Sequence, residues 1–146
     1  MNDPNNYPIK LLCNTTYTQK DVLILLSSLT DCSPIELTKW NQIINNMPKN
    51  HHIFTYTFDS KLIGMITIII EQKLIHGGSF VAHIEDLVIL PEYRSAGIGT
   101  KLIEFVKNFA KSNNCYKIIL NCDKNLITFY EKNNFKSKEV QMRLNL

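Results

Sequence analysis

The sequence lacks the long apolar runs that mark membrane proteins. Its longest such run, Leu62 to Ile70, is interrupted by Gly64 and Thr67, and it falls far short of the ~20 residues that a membrane-spanning helix needs. The first residues, Met1 to Pro4, have neither the basic nor the apolar region of a secretory signal. We therefore expect a cytoplasmic protein with no membrane partner.

Cysteine is scarce, and no strong excess of either charge is present. The four cysteines form no CxxC pair and no spacing with histidine that suits zinc. We expect no metal, and reduced, mostly buried thiols. A net charge of +3 permits an anionic small ligand but is too small to predict a nucleic-acid partner.

What is present is an ordinary globular composition. The chain has 146 residues, of which 45% are hydrophobic and 20% charged, and this size and balance are typical of one soluble domain. We therefore expect a single domain over residues 1–146. Composition alone leaves open whether the domain is an enzyme or a compact binding module.

Hydrophobic periodicity predicts an α/β domain with a largely antiparallel sheet. Thr18 with Asp21, and Ser33 with Glu36, have the spacing of capping boxes that begin two helices. The other predicted elements are strands over 9–12, 53–58, 61–71, 80–90 and 116–120, helices from Ile98 and over 126–132, and one or two strands from Phe135. This order does not alternate as a doubly wound Rossmann domain does.

A glycine-containing segment lies between a predicted strand and a predicted helix. It runs from Arg94 to Gly99, RSAGIG. Glycine lets the backbone approach a ligand closely, and a helix N-terminus turns free N–H groups toward it. The spacing differs from a Walker A loop, and Leu102 stands where a dinucleotide fingerprint needs glycine. The segment favours a phosphate or pyrophosphate cradle, with a tight turn that binds nothing as the alternative.

Longer stretches of the chain resemble the GNAT acyltransferase superfamily. The run from Glu85 to Leu102, EDLVILPEYRSAGIGTKL, is similar to its acetyl-CoA motif. The resemblance is closest to the members that acetylate glucosamine 6-phosphate, and it continues in order through residues 29–30, 68–76, 83–86, 115–123 and 129–132. It implies the GNAT fold, an acetyltransferase, and acetyl-CoA as the co-substrate.

The resemblance also implies which residues bind acetyl-CoA. Backbone N–H groups would cradle the pyrophosphate, from Arg94, Ser95, Ala96, Gly97, Ile98, Gly99 and Thr100. The cationic side chain of Arg94 would also face these phosphates. The backbone of Leu87, Val88 and Ile89 would pair with the pantetheine arm as an extra strand. Tyr130 would reach the thioester sulfur as the acid, and Lys132 would also contact the co-substrate.

For the acceptor, the resemblance implies D-glucosamine 6-phosphate bound by Thr30, Lys73, Glu85, Asp86, Asn121, Cys122 and Arg143. Glu85 and Asp86 are also the candidates for proton transfer, and strand alternation predicts them on opposite faces of the sheet. The family usually has an acidic residue where Asn121 stands. The resemblance also implies a homodimer in which the C-terminal strand crosses between subunits. Arg143 would then serve the neighbouring subunit's site.

The implied reaction is direct attack of the sugar 2-amine on the acetyl-CoA carbonyl, with no acyl-enzyme. No serine or cysteine is paired with a positioned base, which agrees with a direct transfer. Two alternatives stay open. One is a GNAT enzyme for another amine, such as a protein N-terminus or a polyamine, and the other is a non-catalytic acyl-CoA-binding module.

Overall fold

The core of the molecule is one mixed sheet of five strands. A computed structural model describes residues 8–146. The strands are β1 (Ile9–Leu11), β2 (His51–Phe58), β3 (Lys61–Gln72), β4 (Phe80–Ile89) and β5 (Cys115–Ile119). They lie in the order β1-β2-β3-β4-β5. The first four strands pair antiparallel, and β5 pairs parallel to β4. The expected domain bounds include residues 1–7, which lie outside the described residues, and stay a prediction.

The central hairpin shows why these residues form strands. β2 and β3 are rich in β-branched and aromatic residues, which pack well on a pleated surface. Asp59 and Ser60 join the strands with φ angles of 46° and 62°, as a type I′ turn requires. Ile63, Ile66 and Ile68 of β3 are fully buried, so this strand forms the middle of the core.

Four helices flank the sheet: α1 (Gln19–Leu26), α2 (Leu37–Asn45), α3 (Ile98–Ser112) and α4 (Ile127–Lys132). The predicted capping box of α1 is confirmed, because the Thr18 hydroxyl accepts from the Asp21 N–H and the Asp21 carboxylate accepts from the Thr18 N–H. α3 buries Leu102 and Val106 completely. Among residues 8–146, no helix combines the length and the apolar character needed to span a bilayer.

The predicted start of α2 is wrong. The helix begins at Leu37, and Glu36 before it is extended, with ψ 140°, and makes no side-chain cap. A cap contributes only about 1 kcal/mol, and no residue of α2 is fully buried. The Ser33–Glu36 pattern therefore had no packing to reinforce it.

The predicted final strand is also wrong for the isolated chain. Residues 136–146 form no helix or strand, and Val140, Met142, Leu144 and Leu146 are 84–116% exposed. A strand needs a neighbour to pair its backbone N–H and C=O groups, and this segment has none among residues 8–146. The alternating apolar pattern is present, but its partner is absent from the described part of the chain.

The cysteines are free, as expected, but the expectation that most are buried is wrong. Cys13 and Cys122 are exposed, and Cys32 and Cys115 are partly exposed. All four lie in turns, in loops or at the start of the edge strand β5. They therefore contribute little to the core.

Candidate functional site

The site begins where two neighbouring strands separate. β5 pairs with β4 only from Phe80 to His83. Within residues 8–146, no strand pairs with that side of β4 from Ile84 to Ile89, the stretch that includes Leu87 and Val88. A cavity of about 290 Å³ lies beside the divergence, lined by Leu29, Ile84, Glu85, Asp86, Leu87, Asn121, Cys122, Asp123, Leu126, Tyr130 and Gln141.

A bulge in β4 turns both acidic residues of this strand toward the cavity. Opposite β4, Thr67 pairs with Glu85 and Met65 pairs with Val88, so β4 has one extra residue in this interval. Asp86 adopts a left-handed conformation with φ 49°, which interrupts the regular alternation of side chains. The prediction that Glu85 and Asp86 occupy opposite faces is therefore wrong, since both are exposed and both line the cavity.

Asp123 is a third carboxylate at the cavity, and the sequence reasoning did not select it. It follows Asn121 by two residues in the segment that leaves β5, and both line the cavity. The sequence carried no signal for Asp123, because Asn121, Cys122 and Asp123 all line the cavity and show no alternation. Three carboxylates in one cavity favour a positively charged partner. Within residues 8–146, no cluster of histidine, cysteine and acidic side chains has the geometry of a metal site.

Tyr130 supplies a protonated hydroxyl to the same cavity. Its side chain is 8% exposed and packs edge-on against Phe129 and Phe135, with ring centroids 5.0 and 5.8 Å away. Burial, and then the neighbouring Cys122, raise the pKa of Tyr130 to about 12. The hydroxyl therefore keeps its proton at neutral pH and can donate a hydrogen bond.

The turn after α4 holds Tyr130 in position. Asn134 has φ 67°, and the Phe135 N–H donates to the Tyr130 carbonyl at 3.0 Å. The Asn133 side chain, which is buried, donates to the Phe129 carbonyl at 2.9 Å. Asparagine tolerates the left-handed region better than most residues, so this turn forms without glycine.

Cys122 is unsuited to act as a nucleophile. Burial, and then the charge of Asp123, raise the pKa of the Cys122 thiol above its ordinary value. The thiolate is the reactive form of cysteine, and it is disfavoured beside a carboxylate. This agrees with the expectation of a reaction without an acyl-enzyme.

The glycine segment forms an anion cradle at the start of α3. Ser95 and Gly97 have φ angles of 65° and 78°, and in the described chain the N–H groups of Ser95, Ala96 and Gly97 donate no hydrogen bond. The first N–H groups of any α-helix also lack intrahelical partners, here those of Ile98, Gly99 and Thr100. A Cβ on Gly97 would meet no atom within 4 Å, so the loop is open to a ligand.

The Arg94 side chain is directed elsewhere. Its Nε donates to the Ile89 carbonyl and its Nη2 to the Ser28 carbonyl, both at 3.1 Å. Sequence reasoning assigned this guanidinium to the phosphates of the ligand. In the structure, two nitrogens of the guanidinium instead donate hydrogen bonds to backbone carbonyls.

Lys73 does not line the cavity. Its Nζ lies 2.7 Å from Glu71, and Glu71 also lies 2.7 Å from His83 Nε2. Hydrogen bonds from Lys73 and then His83 lower the pKa of the Glu71 carboxyl, and the bond to Glu71 raises the pKa of Lys73. Lys73 is six residues beyond Thr67, the partner of Glu85, which is ~20 Å along the strand at ~3.3 Å per residue.

Three other predicted contacts also lie outside the cavity lining of a single chain. Arg143 is exposed in the C-terminal segment, where its Nε donates to Asn145 at 2.7 Å. Thr30 is exposed directly after Leu29, and Lys132 is exposed at the end of α4. Their roles stay predictions.

Taken together, the diverging strands, the anion cradle and the protonated Tyr130 define a group-transfer enzyme of the acyltransferase class. The model of the Acetyltransferase (GNAT) family matches residues 22–135. The chain belongs to the GNAT acetyltransferase family. The predicted family and the predicted α/β fold are both confirmed.

Curated and solved relatives agree with this assignment. The chain is 37% identical, over 85% of its length and 86% of the relative's, to a glucosamine 6-phosphate N-acetyltransferase of Trypanosoma brucei brucei. A crystal structure of a Trypanosoma brucei acetyltransferase has a TM-score of 0.87 and 31% identity, covering 94% of this chain and 98% of the other. A glucosamine-6-phosphate N-acetyltransferase from Arabidopsis thaliana has a TM-score of 0.82 and 25% identity, covering 95% and 99%.

Proposed function

We propose that this chain transfers the acetyl group of acetyl-CoA to the 2-amine of D-glucosamine 6-phosphate. The products are N-acetylglucosamine 6-phosphate and CoA, a step toward UDP-N-acetylglucosamine. The observation that carries the proposal is one cavity, beside the unpaired edge of β4, that Glu85, Asp86, Asp123 and Tyr130 line together. Relatives that bear this enzyme's name support the choice of acceptor.

The donor side fits acetyl-CoA. The free N–H groups of Ser95 to Gly97 and the N-terminus of α3 suit a pyrophosphate, because both present partial positive charge to an anion. The unpaired stretch of β4, Ile84 to Ile89, can accept an extended amide-containing arm as an added strand. Bound acetyl-CoA supplies the acetyl group as a reactive thioester.

The acceptor side fits an amine. Three carboxylates line the cavity, and they favour an acceptor that arrives as an ammonium ion or becomes one during attack. A sugar amine is less basic than lysine because neighbouring oxygens withdraw electrons, so much of it is neutral near pH 7. Glu85, Asp86 or Asp123 can then accept the proton, directly or through water.

Tyr130 stabilises the departing sulfur. Its pKa of about 12 lies well above the ~8.5 of a thiol, so complete proton transfer to the thiolate is unfavourable. Donation of a hydrogen bond needs no such transfer. Tyr130 therefore acts chiefly as a hydrogen-bond donor to the leaving group.

The second candidate is an acceptor amine that carries no phosphate. The observation that favours it is the position of Lys73, paired with Glu71 and absent from the cavity lining. This candidate and the proposed function differ in a single property, the need for a phosphate on the acceptor.

A homodimer is also part of the proposal. Residues 136–146 have apolar side chains at alternate positions, all exposed, and β5 is the edge strand of the sheet. A second copy of this chain, pairing its C-terminal segment with this edge, would bury those side chains and satisfy the backbone. In such a dimer, Arg143 in the C-terminal segment of one subunit would serve the cavity of the other. Location in the cytoplasm stays a prediction.

The deciding experiment compares two acceptors. Purified protein with acetyl-CoA is assayed for thiol release with glucosamine 6-phosphate and, as the control, with unphosphorylated glucosamine. We expect turnover of the phosphosugar at a much higher kcat/KM. Equal turnover of the two sugars supports the second candidate, and turnover of neither contradicts the proposed function.

A further inference from the structure

The side chain of Arg94 joins two segments that lie far apart in the chain. Its Nε donates to the carbonyl of Ile89, the last residue of β4, and its Nη2 donates to the carbonyl of Ser28. Ser28 lies 66 positions before Arg94 and two residues beyond the end of α1. One guanidinium thus ties the end of the first helix to the end of the strand that leads into the anion cradle.

The Ser28 carbonyl lies at a place where a positive charge is favourable. The carbonyls at a helix C-terminus lack partners and carry partial negative charge, which a basic residue stabilises. α1 has no basic residue in its last turn. Arg94 supplies that charge from another part of the chain, and its planar fork reaches two carbonyls with separate N–H groups.

The segment that Arg94 holds contributes a wall of the acceptor cavity. Leu29, the residue directly after Ser28, lines the cavity. Its side chain is 45% exposed, so core packing alone does little to hold it there. The Leu29 and Thr30 N–H groups both donate to the Leu26 carbonyl, at 2.8 and 3.2 Å, which are weak local anchors for a turn.

We propose that Arg94 is a positioning residue that holds the Ser28–Thr30 turn, and with it the cavity-lining Leu29, against the loop that binds the donor phosphates. The proposal rests on the proposed function for the identity of the acceptor. It replaces the sequence expectation that the Arg94 guanidinium binds a donor phosphate directly. The two roles differ in which substrate the residue affects.

Arg94→Lys separates the two roles. The variant keeps the positive charge, so an anion-binding role is largely retained. A single ammonium cannot reproduce the two N–H groups of the guanidinium fork, so a positioning role is lost. Lys111→Gln, at an exposed position in the last turn of α3, serves as the matched control for a change at a basic surface residue.

The first measurement is amide hydrogen exchange without any ligand. In Arg94→Lys we expect the Leu29 and Thr30 amides to exchange roughly tenfold faster or more, because local opening becomes easier. The Val22 amide in the middle of α1 should be unchanged and reports that the variant is folded. Unchanged exchange at Leu29 and Thr30 would overturn the proposal. Because no substrate is present, this result stands even where the proposed function fails.

The second measurement is steady-state kinetics with both substrates. In Arg94→Lys we expect the KM for glucosamine 6-phosphate to rise about tenfold, the effect of losing ~1.4 kcal/mol of binding, with a smaller change in the KM for acetyl-CoA. A rise confined to acetyl-CoA would overturn the proposal in favour of direct phosphate binding. Absence of turnover by the wild-type protein contradicts the proposed function instead, and leaves the exchange measurement to decide on Arg94.

Discussion

At the scale of single residues, the chemistry of the site depends on a tyrosine that burial keeps protonated. Tyr130 lies at the end of the cavity with a pKa of about 12, and Cys122 beside it is kept as a thiol. Neither side chain is charged at neutral pH. The negative charge of the site therefore comes from Glu85, Asp86 and Asp123.

Replacing Tyr130 tests its part in the reaction. We expect Tyr130→Phe to lower kcat by roughly 10²–10³-fold, the range for loss of one hydrogen-bond donor to developing negative charge, with little change in CoA binding, since the ring and its packing remain. Thiol release measures kcat, and calorimetry measures CoA binding. Tyr116→Phe, on β5 outside the cavity lining, is the control. A Tyr130→Phe enzyme with unchanged turnover would remove this residue from the mechanism.

The raised pKa of Tyr130 also predicts how stability depends on pH. Between pH 10 and 12 the unfolded chain ionises this phenol while the folded chain keeps its proton, so folding stability falls as pH rises. The loss is at most about 3 kcal/mol, and it is absent below pH 10, where both states are protonated. Chemical denaturation of wild type and Tyr130→Phe at pH 9 and pH 11.5 checks this. A stability difference that stays constant between the two pH values contradicts the raised pKa.

The sequence predicted much of this site and missed part of it for identifiable reasons. Tyr130, Glu85 and the glycine loop lie in motifs with recognisable spacing. Asp123 lies in an irregular segment, where no periodicity indicates which side chains share a surface. The bonds of Arg94 to Ser28 and Ile89 connect residues far apart in sequence, so they depend on tertiary structure that no local pattern contains.

At the scale of elements, the anion cradle depends on a left-handed residue at the start of α3. Gly97 has φ 78°, and a Cβ there would meet no neighbour within 4 Å. Gly97→Ala therefore introduces backbone strain without a steric clash, of about 1–2 kcal/mol. We expect reduced stability and weaker CoA binding.

Gly97→Asn is the matched comparison for this change. Asparagine adopts the left-handed region more readily than alanine, so it should recover part of both losses. Thermal unfolding and CoA titration of the two variants measure the effects. A result in which alanine is tolerated as well as asparagine would contradict the requirement for a left-handed backbone.

The elements also differ in how well their bounds follow from sequence. The strands of the central hairpin and the capped start of α1 follow from residue type and local spacing, and both are confirmed. The β4 bulge depends on how β4 aligns with β3, and the start of α2 depends on packing that the helix lacks. Neither relation is visible in a local pattern.

At the scale of the whole molecule, the exposed C-terminal segment predicts self-association. We expect sedimentation equilibrium to give a dimer for the wild-type chain. Met142→Asp, which places a charge among the apolar side chains of the proposed interface, should give a monomer. Ser137→Asp, which adds the same single negative charge at an exposed position nearby, is the control and should stay dimeric. A monomeric wild-type chain contradicts the homodimer.

The position of Arg143 in the exposed C-terminal segment predicts a site shared between subunits. Arg143→Ala and Tyr130→Phe should each be poorly active alone. In a mixed dimer of the two variants, one site has an intact Tyr130 and the partner subunit's intact Arg143. Activity should therefore return when the variants are mixed, dissociated and reassembled. Mixing either variant with itself is the control. No recovery in verified mixed dimers would mean that Arg143 acts within its own chain or not at all.

The diverging strands have a consequence for solubility. An unpaired strand edge is a template for aggregation, and proteins commonly protect such edges. Here part of the unpaired side of β4, Ile84 to Leu87, lines a cavity that Tyr130 and residues 121–123 also line, so this chain itself shields that part from another protein chain. The fold thus leaves the backbone N–H and C=O groups of this edge accessible to an extended small molecule but not to the strand of another protein.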